Sequence, residues 1–374
     1  MPKPPTKQPK VAIVHDWLIG GGAELVVEQL HTLFPDAPIY TSYATKEWRK
    51  RLHNKVITGW LQPLGFIRKL IPPLRILWFT HLNLSKYDIV ISSSGAEAKG
   101  IKVPKRTLHI NYCHAPTHYY WSRYDEYMKN PGLGWLNPIA RLFLWLLVRP
   151  LRKWDFKAAQ RPDIIIANST HIQHEIKKYY KRDCTVIFPP VYMERFDKPE
   201  NRRHKRRGFV ISGRQTPYKR FDLAIVACTK LGLPLTVIGN GPDHKRLRGL
   251  AGKSVTFLGK VPDSILEEEL ASSAGLIFPG LDDFGITAVE AMASGTPVVA
   301  FKAGGALDYI KPHVTGEFFD RPTARSLAVV LKTFDGHSYS SAAIRAYAKR
   351  FSKESFQKTM RGCIVAEYKK HLIR

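Results

Sequence analysis

Short apolar runs recur along the first half of the chain, and most are separated by segments whose apolar residues have helical spacing. Such runs are typical of parallel strands that are buried on both faces, and their alternation with helices indicates βα units. We therefore predict strands in VAIVHDW, PIYTSYA, DIVISSS, RTLHINYC, DIIIANS and CTVIFPP. The first run ends at three glycines and continues into a helical segment, AELVVEQLHTLF.

The second half repeats this alternation after a polar stretch, DKPENRRHKRRG, that has the composition of an interdomain linker. The predicted strands are FVISG, LTVIG, VTFLG, GLIFPG and TPVVAF, with helices beginning near Phe221, Pro242, Asp263, Gly285 and Gly305. Long helical segments follow at about 323–334, 340–351 and 354–372. This pattern predicts an α/β protein with two doubly wound parallel sheets.

Three regions follow from these elements. Residues 1–10 are rich in Pro and Lys and are predicted to be a disordered basic tail. Residues 11–193 are predicted to form a first Rossmann-like domain and residues 194–353 a second one. Open parallel sheets bind ligands beyond the carboxyl ends of their strands, so we expect the two domains to face each other across a deep cleft.

The charge of the chain narrows its partners. Lys and Arg number 58 against 31 Asp and Glu, which gives a formal net charge of +27. This surplus favours polyanionic partners such as nucleic acid, an acidic membrane surface or phosphorylated substrates, although a general lysine bias would give the same value. The basic residues are dispersed and no RNA- or DNA-binding motif is recognisable, so we expect no specific nucleic acid; a non-catalytic nucleic-acid-binding protein is the main alternative of another class.

The cysteine spacing and the distribution of apolar residues predict the cellular compartment. The four cysteines are Cys113, Cys184, Cys228 and Cys363. No two of them have the spacing of a zinc site or a redox motif, which favours a reducing cytosol. The beginning of the chain has no apolar signal core, and no window reaches the roughly 18–20 apolar residues that span a bilayer. We therefore expect a cytoplasmic location.

Glycines and cations occupy two loops that follow predicted strands. The segment 20–22, Gly-Gly-Gly, would let backbone N–H groups approach an anion at a helix N-terminus, but a tight turn explains it equally well because the spacing is not GxGxxG. In the second half Arg214 follows a strand, and Lys219 and Arg220 precede the next helix. Two or three cations around one loop suit a diphosphate, with a solvated basic loop as the plain alternative.

An acidic pair marks the segment GLIFPGLDDFGITAVEAMASGTPVVAF. Asp282 lies in the predicted loop and Glu290 in the following helix, with seven residues between them. Carboxylates accept hydrogen bonds from sugar or ribose diols, and the N–H groups of Phe284, Gly285 and Ile286 at the helix start can hold a phosphate. N-capping is the plain alternative for an Asp in this loop, and it suits Glu290 poorly because its neighbours are apolar.

The motifs GRQTPYKR, VIGNGP, VTFLGKVPDSILEEELASSAGLIFPG and DDFGITAVEAMASGTPVVA resemble those of retaining family-4 glycosyltransferases with the GT-B fold. HDWLIGGGAE, SSSGAEAKG, YCHAPTHYYW and IIANST are most similar to bacterial mannosyltransferases of surface polysaccharide or lipid-linked glycan assembly. The resemblance covers nearly the whole chain. It implies a retaining hexosyltransferase that moves a hexose, with mannose as the best guess, from a nucleotide-diphosphate sugar, with GDP-mannose favoured, to a lipid-linked or glycan acceptor.

Several further expectations come from the resemblance alone. The nucleotide sugar is a substrate and no other cofactor is implied, while a GT-B-fold nucleotide-sugar epimerase is the second alternative. A C-terminal helix at about 354–374 would return to the first domain.

The resemblance also implies roles in the second domain. Arg214 and Lys219 would bind the donor diphosphate, Glu290 the ribose, and the amides of 284–286 the phosphate and sugar. The base would lie by Lys260 and Val261.

The remaining implied residues surround the transferred sugar. Gly21 and Gly22 would face the diphosphate from the first domain, and His114 would lie near the sugar. The family usually has Glu as the first acid of the spaced pair, whereas this chain has Asp282, whose role Asp283 could share. His114, Asp282 and Glu290 are thus the expected catalytic residues.

The mechanism implied needs no metal. The chain has no Asp-x-Asp motif and no ligand cluster with metal spacing. We expect Arg214, Lys219 and helix-terminus amides to stabilise the leaving diphosphate by preorganised electrostatics. In the front-face attack of the family, a phosphate oxygen takes the acceptor proton.

Two segments, 58–79 and 135–156, mix Trp, Leu and Ile with basic residues, as interfacial segments do. We expect a peripheral position on the inner face of the cell membrane, with packing inside the first domain as the alternative. The apolar residues expected on the outer face are Trp60, Leu61, Phe66, Ile67 and Ile71. The basic residues expected at anionic headgroups are Arg68, Lys69, Arg75, Arg149 and Arg152.

Overall fold

The chain divides into two compact units in a computed structural model that describes residues 8–67, 71–129, 131, 134–196 and 206–373. The first unit comprises Met1–Pro189 with Phe356–Arg374, and the second comprises Pro190–Ser355. Each unit is built on one parallel sheet, so the predicted α/β class with two Rossmann-like sheets is confirmed. The division follows Pro189, four residues before the boundary expected from the sequence.

The first unit contains seven strands. They are β1 (Val11–His15), β2 (Ile39–Thr41), β3 (Val56–Ile57), β4 (Ile89–Ser94), β5 (Leu108–Cys113), β6 (Ile164–Ala167) and β7 (Thr185–Val186). All pair in parallel, in the order β3-β2-β1-β4-β5-β6-β7. The helices are α1 (Gly22–Leu33), α2 (Lys46–Arg51), α3 (Pro72–Thr80), α4 (Tyr124–Lys129), α5 (Asn137–Ala158) and α6 (Thr170–Tyr180).

The second unit contains six parallel strands. They are β8 (Phe209–Ser212), β9 (Leu235–Ile238), β10 (Val255–Gly259), β11 (Gly275–Phe278), β12 (Val298–Phe301) and β13 (Gly316–Phe319), in the order β10-β9-β8-β11-β12-β13. Its helices are α7 (Phe221–Leu231), α8 (His244–Leu250), α9 (Asp263–Ser272), α10 (Ile286–Ala293), α11 (Ala306–Tyr309), α12 (Ala324–Thr333) and α13 (Ser341–Ala348). The last helix, α14 (Lys353–His371), packs Phe356, Met360 and Ile364 into the core of the first unit.

The strand order reverses at the same position in both sheets. In each, the first strand lies between the second and the fourth, so the strand order reverses between β1 and β4 and between β8 and β11. Loops that leave the carboxyl ends of such strands diverge and leave room for a ligand. The loops after β1, β4, β8 and β11 are therefore where function is expected.

Two edge strands, β3 and β13, are absent from the prediction. β3 has only two residues, and β13 has the sequence GEFF, so neither forms a recognisable apolar run. The helix predicted at 340–351 also ends early, because α13 gives way to a 3-10 turn over Lys349–Phe351. Tertiary pairing rather than local pattern decides these short elements.

The segments expected to meet a membrane are only partly exposed. Trp60 and Phe66 are exposed, but Leu61 is buried, which makes its expected outer position wrong. The predicted headgroup contact of Arg75 is also wrong, because the Arg75 side chain is 2% exposed and pairs with Glu97. The predicted contacts of Arg68 and Lys69 lie outside the described residues.

Helix α5 carries a larger apolar surface. Its inner face is held by buried side chains that include Val148, Leu151 and Asp155. The outer face exposes half or more of each of five large apolar side chains: Ile139, Leu142, Phe143, Trp145 and Leu146. We call these five residues the α5 ridge. Arg149 beside it is exposed, whereas Arg152 turns inward, donates to the Tyr120 carbonyl and lies over the Trp121 ring.

Candidate functional site

A lysine and an aspartate meet where the strand order of the second unit reverses. Lys219 ends a 3-10 turn after β8, and its Nζ donates to Oδ2 of Asp282, which follows β11 and is buried. A Cβ on Gly280 would lie 2.9 Å from Lys219 Cα, so the two loops approach this closely only because residue 280 is glycine. Two residues 63 positions apart, one a predicted diphosphate ligand and the other a predicted sugar ligand, thus form an ion pair.

The loop that carries Arg214 is held by a buried amide. Gln215 is fully buried, donates from Nε2 to the Gly239 carbonyl at 2.8 Å and contacts His244 Nδ1 at 2.7 Å. Its backbone N–H donates to the Asn240 carbonyl at 3.0 Å. Arg214 itself is exposed and makes no ion pair with any described residue. A rigid loop therefore presents a mobile cation at the carboxyl end of β8.

Helix α10 begins beside this pair with a left-handed glycine. Gly285 is the N-cap with φ of +97°, and no side chain caps the helix, so positive dipole density is left at its start. Phe284 is buried against the Tyr309 ring at 5.5 Å between centroids. The Gly305 N–H donates to the Asp282 carbonyl at 2.9 Å, which pins the acidic loop to the start of α11.

Glu290 lies on α10, half-buried, in an unusual electrostatic setting. Within the described residues its carboxylate has no hydrogen-bond partner. Burial raises the pKa of Glu290 to about 7; Arg195 opposes this, and the like charges of Asp263 and Glu267 add to it. Arg195 is itself engaged, donating to Glu267 at 3.2 Å and pairing with Asp263 at 2.9 Å. Glu290 is thus a carboxyl that titrates near neutrality.

The residues predicted near the base follow β10. Lys260 is exposed and Val261 is half-buried, and both precede α9. They therefore lie in a loop at the same carboxyl edge of the sheet as Arg214 and Asp282.

In the first unit, His114 is the residue that follows β5. Its Nε2 contacts Ser93 Oγ at 2.7 Å, and the Ser93 carbonyl in turn contacts His15 Nδ1 at 2.7 Å. The His114 carbonyl accepts from Asn168 Nδ2 at 2.9 Å. The imidazole is half-buried, at the carboxyl edge and beside the point where the strand order reverses.

The glycine segment of the first unit is organised by an acid. Glu24, in the first turn of α1, is buried and accepts from the N–H groups of Ile19 at 3.2 Å and Gly20 at 3.0 Å. Gly20 has φ of +117°, a conformation that favours glycine. Gly21 is the N-cap of α1 and Gly22 its first residue, and no side chain caps them. The turn is therefore both a tight connection and an uncapped helix start.

Asp16 organises the neighbouring loop and was not predicted. It is buried and accepts from the N–H groups of Gly95 at 2.8 Å, Ala96 at 2.9 Å and Ala98 at 2.8 Å. One carboxylate thus ties the end of β1 to the loop after β4. A polar residue directly after a buried strand, in HDW, was the available signal.

Two buried ion pairs were also missed. Arg75 and Glu97 are 2.8 Å apart, and Lys99 and Asp155 are 2.7 Å apart, all almost fully buried. Tyr180 donates a further hydrogen bond to Asp155 at 2.7 Å. The pairs join the 3-10 segment Glu97–Gly100 to α3 and α5. No local sequence pattern indicates them, because each pairs residues far apart in the chain.

In the parts of the chain that the structure covers, no group of three or more His, Cys, Asp or Glu is placed to hold a metal ion. Among the helices of those same residues, none is both long and apolar enough to cross a membrane.

Comparison with known proteins places the second unit in a family. The family described as glycosyl transferases group 1 matches residues 192–350. A GDP-mannose-dependent alpha-mannosyltransferase of Mycolicibacterium smegmatis is 36% identical over 114 residues, which cover 30% of this chain and 30% of that protein. An alpha-1,3/1,6-mannosyltransferase of Schizosaccharomyces pombe is 23% identical and aligns over 93% of this chain and 78% of its own length.

The fold extends the likeness over the whole chain. The crystal structure of Anabaena HepE in complex with UDP-glucose has a TM-score of 0.70 at 18% identity and covers 96% of this chain and 100% of that one. The chain therefore has the predicted fold, with two Rossmann-like units as in GT-B glycosyltransferases. The alignments with the first curated relatives span only 28% to 52% of those relatives.

Proposed function

We propose that this chain, whose residues 192–350 match the family of group 1 glycosyl transferases, is a retaining hexosyltransferase that uses a nucleotide-diphosphate sugar. The observation that carries the proposal is the Lys219–Asp282 pair beside the uncapped start of α10 and the exposed Arg214. Cations, helix amides and a carboxylate at one sheet edge are the groups that a sugar diphosphate requires.

The donor diphosphate is held by Arg214 and Lys219 together with the amides of 284–286. Lys219 reaches the phosphate by leaving Asp282, which is then available to accept hydrogen bonds from sugar hydroxyls, with Asp283 beside it in the loop. Glu290 accepts from the ribose diol, and Lys260 and Val261 border the base. From the first unit, Gly21 and Gly22 face the diphosphate and His114 contacts the sugar. Within this assignment His114, Asp282 and Glu290 are the catalytic residues.

The reaction is a substitution at the anomeric carbon with retention. The bond from that carbon to the phosphate oxygen breaks while the bond to the acceptor oxygen forms on the same face. The acceptor proton passes to the departing phosphate oxygen, so no protein base is obligatory. Arg214, Lys219 and the dipole of α10 neutralise the charge that develops on the leaving diphosphate. These cations take the role that a divalent ion has in other transferases.

GDP-mannose is the proposed donor. Its support is the similarity to a protein named as a GDP-mannose-dependent alpha-mannosyltransferase and to other proteins named as mannosyltransferases. The nucleotide sugar acts as substrate, and no separate cofactor is part of the proposal.

The acceptor is a lipid-linked or other glycan, presented at the inner face of the cell membrane. Support comes from the α5 ridge, a row of large apolar side chains exposed beside Arg149, together with the net charge of +27. A contiguous exposed apolar surface flanked by basic residues suits the headgroup region of an anionic bilayer. The chain is then a cytoplasmic protein that binds the membrane peripherally.

The donor is tested by a thermal-shift screen with GDP, UDP, dTDP and ADP sugars, followed by transfer assays with the sugar that binds. A donor at about 100 times its Kd stabilises the protein by about 2.7 kcal/mol. Arg214→Ala and Lys219→Ala should each lower kcat/KM at least about tenfold, or ~1.4 kcal/mol, with the fold intact. Lys332→Ala, which removes an exposed cation from α12, is the matched control and should leave kcat/KM unchanged. No stabilisation by any nucleotide sugar would contradict the proposal.

A further inference from the structure

One hydroxyl beside the proposed donor site has no partner. Tyr309, the last residue of α11, is fully buried, and its Oη makes no hydrogen bond with any residue that the structure describes. A buried polar group without a partner costs free energy, and most native proteins avoid it. Since a phenylalanine would fill the same space without that cost, the hydroxyl calls for an explanation.

The ring of Tyr309 is fixed by aromatic neighbours. Its centroid lies 5.5 Å from that of Phe284 and 6.2 Å from that of Phe351. The hydroxyl points under the start of α10, because a Cβ on Gly285 would lie 2.5 Å from Tyr309 Oη. Glycine is thus required at 285 both by its φ of +97° and by this hydroxyl. The packing holds the O–H at the edge of the proposed site.

Two carboxylates, those of Asp282 and Asp308, act electrostatically on this hydroxyl. The pKa of Tyr309 is held well above its usual value, first by burial and second by the negative charge of Asp282. The hydroxyl therefore stays protonated and can only be a donor to an anion. The main chain joins the two as well, since the Gly305 N–H, one residue before α11, donates to the Asp282 carbonyl at 2.9 Å. Lys219 occupies the carboxylate in the ligand-free protein.

We propose that Tyr309 is a positioning residue whose hydroxyl donates to the Asp282 carboxylate when Lys219 turns to the donor diphosphate. The inference rests on the proposed function. A buried carboxylate that loses its only cation is strongly disfavoured unless another donor replaces it. The Tyr309 O–H supplies that donor, keeps Asp282 ionised and orients its free oxygen toward the sugar hydroxyls. In the ligand-free protein, where Lys219 still binds Asp282, the Tyr309 hydroxyl therefore has no partner among the described residues, and this lowers the stability of that state.

Tyr309→Phe separates this role from a structural one. The variant should have an unchanged or raised Tm, because it removes an unpaired buried hydroxyl. Its kcat should fall about tenfold, and its Kd for the nucleoside diphosphate should rise, because Lys219 leaves Asp282 less readily without the replacement donor. Tyr339→Phe is the matched control: its hydroxyl donates to Glu317 at 2.6 Å, so this variant should lose stability and keep its kcat. In an Asp282→Asn background, Tyr309→Phe should change kcat less than twofold, because the two residues act as one unit.

The outcomes are distinguishable. If the unsubstituted protein transfers sugar and Tyr309→Phe has the same kcat, this inference alone is overturned. A lower Tm in Tyr309→Phe, or an equal loss of kcat in both backgrounds, also overturns it, since either result assigns Tyr309 to packing. If the unsubstituted protein turns over none of the four nucleotide sugars, the proposed function fails and this inference fails with it.

Discussion

The two units share a sheet topology but treat the point where the strand order reverses in opposite ways. In the first unit Asp16 after β1 accepts three backbone N–H groups from the loop after β4, and Glu24 accepts two more from the glycine turn. In the second unit the same position holds one ion pair, Lys219–Asp282, and Arg214 extends into solvent beside it. Buried carboxylates already satisfy the first edge, whereas the second keeps charged groups that can exchange partners.

This difference explains why the phosphate chemistry is assigned to the second unit. The amides of Gly20, Gly95, Ala96 and Ala98 already donate to buried carboxylates and cannot also bind a phosphate, which leaves only the uncapped start of α1 for such a contact. The second edge offers cations and the Glu290 carboxyl with its raised pKa in addition to its own uncapped helix start. Groups kept ready for a ligand are costly for the ligand-free fold, as expected at functional sites.

The largest expected effect is on stability, and it compares the loss of Asp16 in the first unit with the loss of Asp282 in the second. Asp16→Ala leaves three buried N–H groups without an acceptor, so the free energy of unfolding should fall by about 3 kcal/mol. Asp282→Ala should cost less than that, because the lysine it leaves behind is 23% exposed and can be hydrated, unlike the three N–H groups. Urea denaturation of both variants measures this, with Asp16→Asn as an isosteric control. Equal losses at the two positions would contradict the distinction.

A second contrast concerns apolar exposure. The α5 ridge is contiguous, whereas exposed apolar residues of the second unit such as Val226, Leu258 and Val329 are scattered. Replacing Leu142, Phe143, Trp145 and Leu146 together by Ser should lower partitioning to anionic vesicles about a hundredfold.

Co-sedimentation with neutral and anionic vesicles over a salt series measures this effect. Binding of the unsubstituted protein should require anionic lipid and weaken with salt. Ser at Val226, Leu258 and Val329 is the matched control and should change nothing. A protein that ignores anionic vesicles at low salt would favour an acceptor that is not in a membrane.

The raised pKa of Glu290 gives a pH test of the proposed donor site in the second unit. With a pKa of about 7 this carboxyl is mostly protonated at pH 6 and mostly ionised at pH 8. Because a ribose diol needs an acceptor, donor affinity should rise about tenfold between these pH values. Glu290→Gln should abolish this dependence, and Glu290→Ala should lower transfer about tenfold or more. A pH-independent donor KM in the unsubstituted protein would remove Glu290 from the site.

Glu290 affects stability with the opposite sign. Its folded pKa lies above the usual 4.5, so between these values the folded state holds more protons than the unfolded state. The free energy of unfolding of the ligand-free protein should therefore decrease as pH rises from 4.5 toward 7. Glu290→Gln should flatten this slope as well, which checks the pKa without any activity measurement.

The smallest expected effect concerns divalent ions. If Arg214, Lys219 and α10 neutralise the leaving diphosphate, turnover in EDTA should differ less than twofold from turnover with magnesium or manganese. The assay follows donor consumption under both conditions. Strict dependence on the metal would show that the charges of the second unit do not suffice.

Much of the fold was predictable because periodicity and turn residues are local signals. Eleven strands and both sheets follow from apolar runs that burial on both faces requires, and the pattern placed Asp282 in a loop and Glu290 in the helix after it, as the structure has them. The short edge strands β3 and β13 were missed because pairing with a neighbour, and not their own sequence, makes them strands. Apolar content also did not predict which side chains of the segments 58–79 and 135–156 are exposed, as the buried Leu61 demonstrates.

What the sequence determined by itself is therefore the order of most elements, the loops between them and the residue types in those loops. Only the tertiary structure decided which charges meet: Arg75 pairs with Glu97 in the interior, Asp16 binds the loop after β4, and Lys219 binds Asp282. The partners in these contacts are 22 to 82 residues apart. Local patterns report the conformation of a few neighbouring residues, whereas the energy of a charge depends on its burial and on the groups that folding brings beside it.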